Sequence, residues 1–242
     1  MDEAAWTISP TARDTGEVRT LKIGIIGTGR MGRALGLRWA ANGHNVFFGS
    51  RNLDKAKSVA DSSAGSAQAG GFDEAAAFGD VVLYTVREPL PSRLLRAPEA
   101  LIGKIVIDCN NSLMWGLETP DPEGRPGLHF PTPLPSLAEK LAADVPKAFV
   151  VKAFNTIPHV VIEMEREKLV PHRVSVFLSS DHPPAKAVVK DLADELGFVG
   201  VDSGELERAQ LVESVADFTR FQIVSMGLGF FTTISINVLP TP

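Results

Sequence analysis

Short apolar runs alternate along this chain with stretches where apolar residues recur every three or four positions. These two periods mark buried strands and amphipathic helices. Leu21 to Ile26 is an Ile-rich run and predicts a buried strand. Met31, Ala34, Leu35 and Trp39 then fall at helical spacing, and Asn42-Gly43 predicts the end of that helix, with Gly43 suited to a left-handed position. Asn45–Gly49 reads as a strand and Leu53–Ala60 as a helix, while Gly65, Gly70 and Gly71 leave the next stretch undetermined. Asp73–Phe78 predicts a short helix and Asp80–Val86 a strong strand. Pro89 and Pro91 open a helix expected to reach Ala100, and Ile105–Cys109 is another strand. The stretch 110–135, rich in proline and glycine, predicts a long loop. Ser136-Leu137-Ala138-Glu139 is a capping box, with a helix following to Ala143. Then come a strand at Phe149–Phe154, a helix at Val160–Leu169, a strand at Val174–Ser179, a helix at Pro184–Leu196 and a strand at Phe198–Asp202. From Glu205 onward the chain reads as mainly helical.

Strands and helices alternate through residue 155. That predicts an α/β fold, a Rossmann-type doubly wound parallel sheet with right-handed crossovers, followed by a small, mainly helical C-terminal region. The expected organisation is a disordered tail at 1–20, a dinucleotide-binding domain at 21–155 and a C-terminal region at 156–242 that binds a reaction partner and dimerises.

Composition narrows the function classes. Of 242 residues, 44% are hydrophobic and 22% charged, which is ordinary for a globular protein. The net charge is −5 with no block of Lys and Arg, which argues against a nucleic-acid partner. Cys109 is the sole cysteine, so neither an intramolecular disulfide nor a Cys-rich metal site can form. That suits a reducing cytoplasm, the expected location. Met1 to Thr20 is acidic and polar, unlike a signal peptide. After Arg220 no charged residue occurs through Pro242. As one helix that stretch would nearly span a bilayer. However, Gln222, Ser225, Gly229, Thr232 and Thr233 recur on one side of it, with Ile223, Val224, Phe230, Phe231 and Ile234 elsewhere. This pattern favours a helix buried at a subunit interface over a membrane span, and hence a homodimer formed through the C-terminal helix.

The chemistry concentrates at strand ends. Gly27-Thr28-Gly29-Arg30-Met31-Gly32 lies directly after the first strand and opens the first helix. Gly27 permits the tight turn, Gly29 lets backbone approach a pyrophosphate, and Gly32 lets the helix pack closely on the strand. Free amides at the helix start supply donors for the anion. At the end of the second strand, where an NAD site usually carries Asp or Glu, the chain reads Gly49-Ser50-Arg51-Asn52. A hydroxyl and a guanidinium suit a 2′-phosphate, and Lys55 adds a second cation one helical turn on, so the expected cofactor is NADP(H). The alternative for Arg51 and Lys55 is a solvated helix start.

The remaining strand ends offer Thr85-Val86-Arg87 near the ribose and pyrophosphate, Asn110-Asn111 near the nicotinamide ribose, and Lys152 to Thr156 at the end of the Phe149 strand. Bland readings stand beside these: Arg87 meeting Glu88 or solvent, Asn110 capping a turn, Phe154 in the core. No His–Asp or Ser–His pair stands at a diagnostic spacing, and no residue is singled out as catalytic. Lys152 is the one notable ionisable group at a strand end.

These residues bring a resemblance. The glycine turn, FGSR at the second strand, NTIP at 155–158 and LVES at 211–214 resemble the NADPH-dependent reductases of the deazaflavin coenzyme F420. VVKAFNTI and GKIVIDCNNSL are similar to the cytoplasmic reductase domain of the STEAP ferric reductases. The resemblance implies that Ser50, Arg51 and Lys55 hold the 2′-phosphate and that Thr28, Arg30 and Met31 cover the pyrophosphate. It implies that Val86, Phe154, Asn155 and Thr156 approach the nicotinamide. One departure stands at Asn155, where archaeal deazaflavin reductases tend to carry His; it bears on the acceptor and not on the NADP site.

Hydride transfer between a nicotinamide and a flavin-like ring asks little of side chains beyond alignment and exclusion of water. The expected activity is therefore that of an oxidoreductase between NADP(H) and a small-molecule acceptor, F420 or flavin. Two other readings remain open here: a dehydrogenase of hydroxy acids or imines with Lys152 as proton donor, and a non-catalytic NADPH-binding redox module.

Overall fold

The structure is a computed structural model that describes residues 20–111 and 135–239. The expected N-terminal tail and most of the expected 110–135 loop lie outside the described residues.

Six segments form the strands of one parallel sheet: β1 (Lys22–Ile26), β2 (Asn45–Gly49), β3 (Ala67–Gly70), β4 (Val81–Tyr84), β5 (Ile105–Asp108) and β6 (Phe149–Lys152). Their order is β3-β2-β1-β4-β5-β6. The winding reverses between β1 and β4, which opens a crevice at their carboxyl ends. Side chains alternate across the sheet. Ile23, Ile25, Leu83, Ile107 and Val151 enter one core with Trp39, Phe48 and Phe154. Ile26, Val82, Tyr84, Val106 and Val150 enter the other with Phe47, Phe72 and Leu141. Because both faces are covered, the strands read as continuous apolar runs.

Helices α1 (Arg30–Ala41), α2 (Leu53–Asp61), α3 (Phe72–Phe78) and α4 (Leu137–Asp144) connect or flank these strands. The box predicted at α4 is formed: Ser136 Oγ accepts Glu139 N at 3.2 Å, and Ser136 N donates to Glu139 Oε2 at 2.8 Å. The C-terminal region contains helices α5 (His159–Ile162), α6 (Arg166–Leu169), α7 (Pro183–Asp194) and α8 (Ala209–Val224). It also carries a parallel pair, β7 (Ser175–Leu178) and β8 (Val199–Asp202). An antiparallel bridge joins it to β6, with Lys152 N donating to Ser179 O at 2.9 Å and Ser179 N to Lys152 O at 3.2 Å.

One undetermined stretch is resolved and three expectations change. The glycine-rich stretch after α2 yields edge strand β3, which pairing with β2 creates although its apolar signal is weak. The helix expected from Pro89 to Ala100 is replaced by two 3-10 turns, Pro91–Arg93 and Pro98–Leu101. Prolines disfavour helical backbone in the residue before them, and Leu90 and Ala97 are accordingly non-helical. The Asp73 carboxylate meanwhile takes the amides of Arg96 and Ala97 at 2.7 and 3.3 Å. The helix expected over Val160–Leu169 breaks into α5 and α6, with Glu165 extended and the Met164 carbonyl bound by the Arg38 guanidinium. Finally, α8 stops at Val224 and does not carry the uncharged stretch to the end of the chain. Gly227 and Gly229 take positive φ (73° and 82°), and the following segment runs irregularly to hydrogen-bond β7 through Ser175 N and Ile234 O at 3.1 Å. Among the described residues no helix is long and apolar enough to cross a membrane.

Candidate dinucleotide site

The turn between β1 and α1 is built for close approach. Gly27 has φ 114°, and its amide donates to Gly49 O at 3.0 Å. A Cβ on Gly27 would lie 2.5 Å from Thr85 Oγ1, and one on Gly32 would lie 2.0 Å from the Gly27 carbonyl. A Cβ on Gly29 would meet nothing within 4 Å. Open space therefore lies over Gly29, where the α1 axis points. Gly29 caps that helix without a side chain, and the first turn holds no acidic residue. The first amides of α1 thus have no intrahelical partner, and the helix dipole adds positive potential. Such a terminus accepts an anion. Around it Thr28 is buried, Met31 half-buried and Arg30 exposed.

The register sets the next group beside this turn. Ile26 pairs with Gly49, which places Ser50 next to Gly27. Ser50 Oγ accepts the Asn52 amide at 3.2 Å, leaving its proton to donate elsewhere. Asn52 Oδ1 accepts Lys55 N at 2.9 Å and caps α2. Arg51 and Lys55 are exposed, and neither is in an ion pair among the described residues. The structure thus brings Gly27 to Gly32, Ser50, Arg51 and Lys55 together at one edge of the crevice.

On the other edge the predicted residues divide. The hydroxyl of Thr85 is spent on the turn itself, donating to the carbonyls of Ile26 and Gly27 at 3.1 and 3.0 Å. It braces the cradle. Val86 is half-buried and Arg87 exposed. Their turn is held by Tyr84, whose Oη donates to Glu88 O at 2.6 Å. Burial, with Glu88 and Asp108 nearby, pushes the Tyr84 phenol well above its ordinary range. Asn110 faces inward: its Nδ2 donates to Tyr84 O at 3.1 Å and to Asp108 Oδ1 at 2.9 Å.

Phe154 corrects an expectation. It adopts φ 61°, and its ring is fully buried, packed edge-on against Trp39 at 5.8 Å. Its side chain belongs to the core and not to the wall of the cleft. The left-handed turn presents the next residues instead. Asn155 and Thr156 are nearly buried, at 7% and 6% exposure. Asn155 Nδ2 donates to Asn111 Oδ1 at 2.8 Å and to Val212 O on α8 at 3.2 Å, while Asn111 Nδ2 donates to Asn155 O at 2.7 Å. Asn155 Oδ1 is buried with no hydrogen-bond partner among the described residues.

Beneath these residues lies a charged cluster that the sequence reading missed. Lys152 Nζ donates to Asp108 Oδ2 at 2.9 Å, to Glu213 Oε1 at 2.7 Å and, in a short contact, to Asn110 O. None of the three ionic side chains exceeds 1% exposure. Glu213 Oε1 also accepts Leu137 N at 3.0 Å, so the cluster ties β5, β6, α4 and α8 together. Burial works against the Lys152 charge, yet Asp108 and Glu213 outweigh it and hold its pKa above the ordinary value. Burial raises Glu213 despite the opposing pull of Lys152. All three ammonium protons are engaged, so Lys152 has none aimed at a substrate. This overturns its reading as a proton donor. A signal was present: Asp108 and Lys152 are opposite charges inside apolar runs, and they prove to be register partners. Glu213, far along the chain, gave none. Burial, with Asp108 nearby, pushes the Cys109 thiol up to about 12, so it is no ready nucleophile. His44 is also structural, its Nδ1 accepting Leu21 N at 3.1 Å and its Nε2 facing Glu195 at 3.0 Å.

Residues 22–112 match the family described as NADP oxidoreductase, coenzyme F420-dependent. Metalloreductase STEAP3 of Rattus norvegicus is 30% identical over 194 residues, 80% of this chain and 36% of that protein. The chain spans about a third of the length of the metalloreductases it matches, 36% in each case. The F420-dependent NADP reductase of Methanothermobacter thermautotrophicus is 29% identical over 216 residues, 82% of this chain and 88% of that one. A crystal structure from Arthrobacter sp. FB24, assigned as an F420-dependent NADP-reductase, superposes with a TM-score of 0.73 at 26% identity, covering 90% of this chain and 100% of the other.

Proposed function

We propose that the protein, whose residues 22–112 match the family of coenzyme F420-dependent NADP oxidoreductases, binds NADP(H) and passes hydride between it and a flavin-like acceptor, deazaflavin F420 first among them. The observation that carries the cofactor choice is the end of β2. Ser50, with a hydroxyl proton to give, and the exposed cations Arg51 and Lys55 stand beside the glycine turn. A carboxylate there would repel a 2′-phosphate; these residues attract one.

In this reading the amides from Gly29 to Met31 take the pyrophosphate. Val86, Asn155 and Thr156 border the nicotinamide end. The bound nicotinamide supplies the hydride chemistry, and this chain aligns it and excludes water. No side-chain acid or base is required, which accords with a Lys152 wholly committed to Asp108, Asn110 and Glu213.

The test has two arms. Arg51→Ala should weaken NADPH binding about tenfold or more and NADH binding little, since a charge-assisted bond is worth roughly 1.5–3 kcal/mol. Equal losses refute the NADP assignment. NADPH oxidation is then followed with F420, free flavin and a ferric chelate supplied separately. F420 should be reduced fastest. A faster ferric chelate would transfer the acceptor reading to the metalloreductase side, and oxidation with none of them would leave only a binding module.

We also propose that the protein is a homodimer. Of the large apolar side chains left exposed, Leu211, Phe218, Val224, Met226, Leu228, Phe230, Phe231, Ile236, Val238 and Leu239 all lie on α8 or the segment after it. A monomer rarely leaves such a contiguous apolar surface open. The stretch after Arg220 carries no charge, which suits a second copy of the same surface.

A further inference from the structure

Asn155 holds an unusual position in the hydrogen-bond balance of the crevice. Its Nδ2 has two acceptors, Asn111 Oδ1 and Val212 O, and its own carbonyl receives Asn111 Nδ2. Those bonds fix which way the amide points: a flip would set Oδ1 against two oxygens and break both donations. Oδ1 is therefore held in place as an acceptor, in a residue 93% buried, with no donor. A buried acceptor left without a donor is costly, and native proteins keep very few of them. Neither the sheet nor α8 needs this one.

The residue stands where the dinucleotide reading places the reacting ring. The pyrophosphate cradle lies at β1 and the 2′-phosphate residues at β2, on one side of the sheet reversal. Asn155 follows β6 by three residues on the other side, across from Asn111 beyond β5. A dinucleotide lying across that reversal puts its nicotinamide half toward β4, β5 and β6. The substituent of the nicotinamide ring that offers N–H protons is its carboxamide.

Resting on the NADP(H) reading above, we propose that Asn155 Oδ1 accepts a hydrogen bond from the nicotinamide carboxamide, and that Asn111 acts as a positioning residue that aims it. The bond sets the rotation of the ring about its ribose link and so selects which ring face meets the acceptor. Oδ1 is sealed in the ligand-free chain. A side-chain shift of the kind common on binding opens it, and the ligand donor then closes it again.

The test compares NADP+ with its 3-acetylpyridine analogue, in which a methyl ketone replaces the carboxamide and no N–H remains. Dissociation constants are measured calorimetrically without any hydride acceptor, for wild type, Asn155→Ala and Asn155→Leu. Wild type should prefer NADP+ by about tenfold, the factor expected when a buried acceptor is left unpaired. Both variants should bind the two ligands within about twofold of each other. Wild type binding both equally overturns the proposal, as does a variant that keeps the full preference. The wild-type comparison stands even if a variant fails to fold. Binding of 2′,5′-ADP, which lacks the nicotinamide half, is measured alongside. Its loss relative to 5′-ADP would refute the NADP(H) reading itself, whereas its retention with no analogue discrimination would refute only the role of Asn155.

Discussion

Replacing Lys152 by methionine tests the charged cluster most directly. Methionine keeps much of the aliphatic stem and removes the ammonium. Asp108 Oδ2 and Glu213 Oε1 then lose a cation 2.9 and 2.7 Å away, with both side chains only 1% exposed. Removing one member of a buried pair typically costs about 3–5 kcal/mol, because the remaining charge stays desolvated. With a guanidinium slope of about 5 kcal/mol/M, the unfolding midpoint should fall by roughly 0.6–1 M. The loss should depend on pH. Burial already raises the Glu213 pKa, and Lys152 opposes that rise, so its removal raises it further. A carboxyl raised in the folded state does no harm below its unfolded value near 4.3 and destabilises as pH climbs through the folded value. The deficit of Lys152→Met should therefore be smaller at pH 5 than at pH 8. In wild type the sign is that of a raised lysine. Its contribution is complete below the ordinary lysine range and disappears only above the raised pKa. Equilibrium unfolding at several pH values checks both. A variant within about 1 kcal/mol of wild type at pH 8, or a deficit constant with pH, would refute the reasoning.

Two glycines of the turn should separate folding from binding. Gly32→Ala drives a Cβ to 2.0 Å from the Gly27 carbonyl, so it should lower Tm and abolish dinucleotide binding. Gly29→Ala meets nothing within 4 Å and should leave Tm near wild type while weakening dinucleotide binding; unchanged binding would mean the space over Gly29 is not the ligand's. For the dimer, sedimentation at micromolar concentration should give two copies, and Phe218→Asp with Phe231→Asp should give one. A wild-type monomer would refute the assembly.

Much of the nucleotide half is legible in one dimension because its determinants are local. A strand–turn–helix with Gly27, Gly29 and Gly32 at fixed spacing must place bare amides at a helix start. In a sheet of this winding the second strand lies beside the first, as β2 does here, so Ser50 and Arg51 could be expected next to the turn before the register was known. The β3 strand was less visible because an edge strand takes its conformation from its neighbour. The Pro89–Ala100 helix failed for a related reason: Asp73, distant in sequence, captured amides that a helix would have used.

The sequence by itself determined the doubly wound sheet, the glycine turn at the start of α1 and a second strand that ends without a carboxylate, since period and turn chemistry act within a few residues. Tertiary structure decided what those residues do at the far end of the crevice. It turned the Phe154 ring into the core, spent the Thr85 hydroxyl on the turn and locked Lys152 between Asp108 and Glu213. It also left Asn155 Oδ1 as an acceptor with no donor. Each of these depends on which groups from remote segments meet in a buried space, where every polar atom must find a partner or bear the cost, and no local pattern encodes such a meeting.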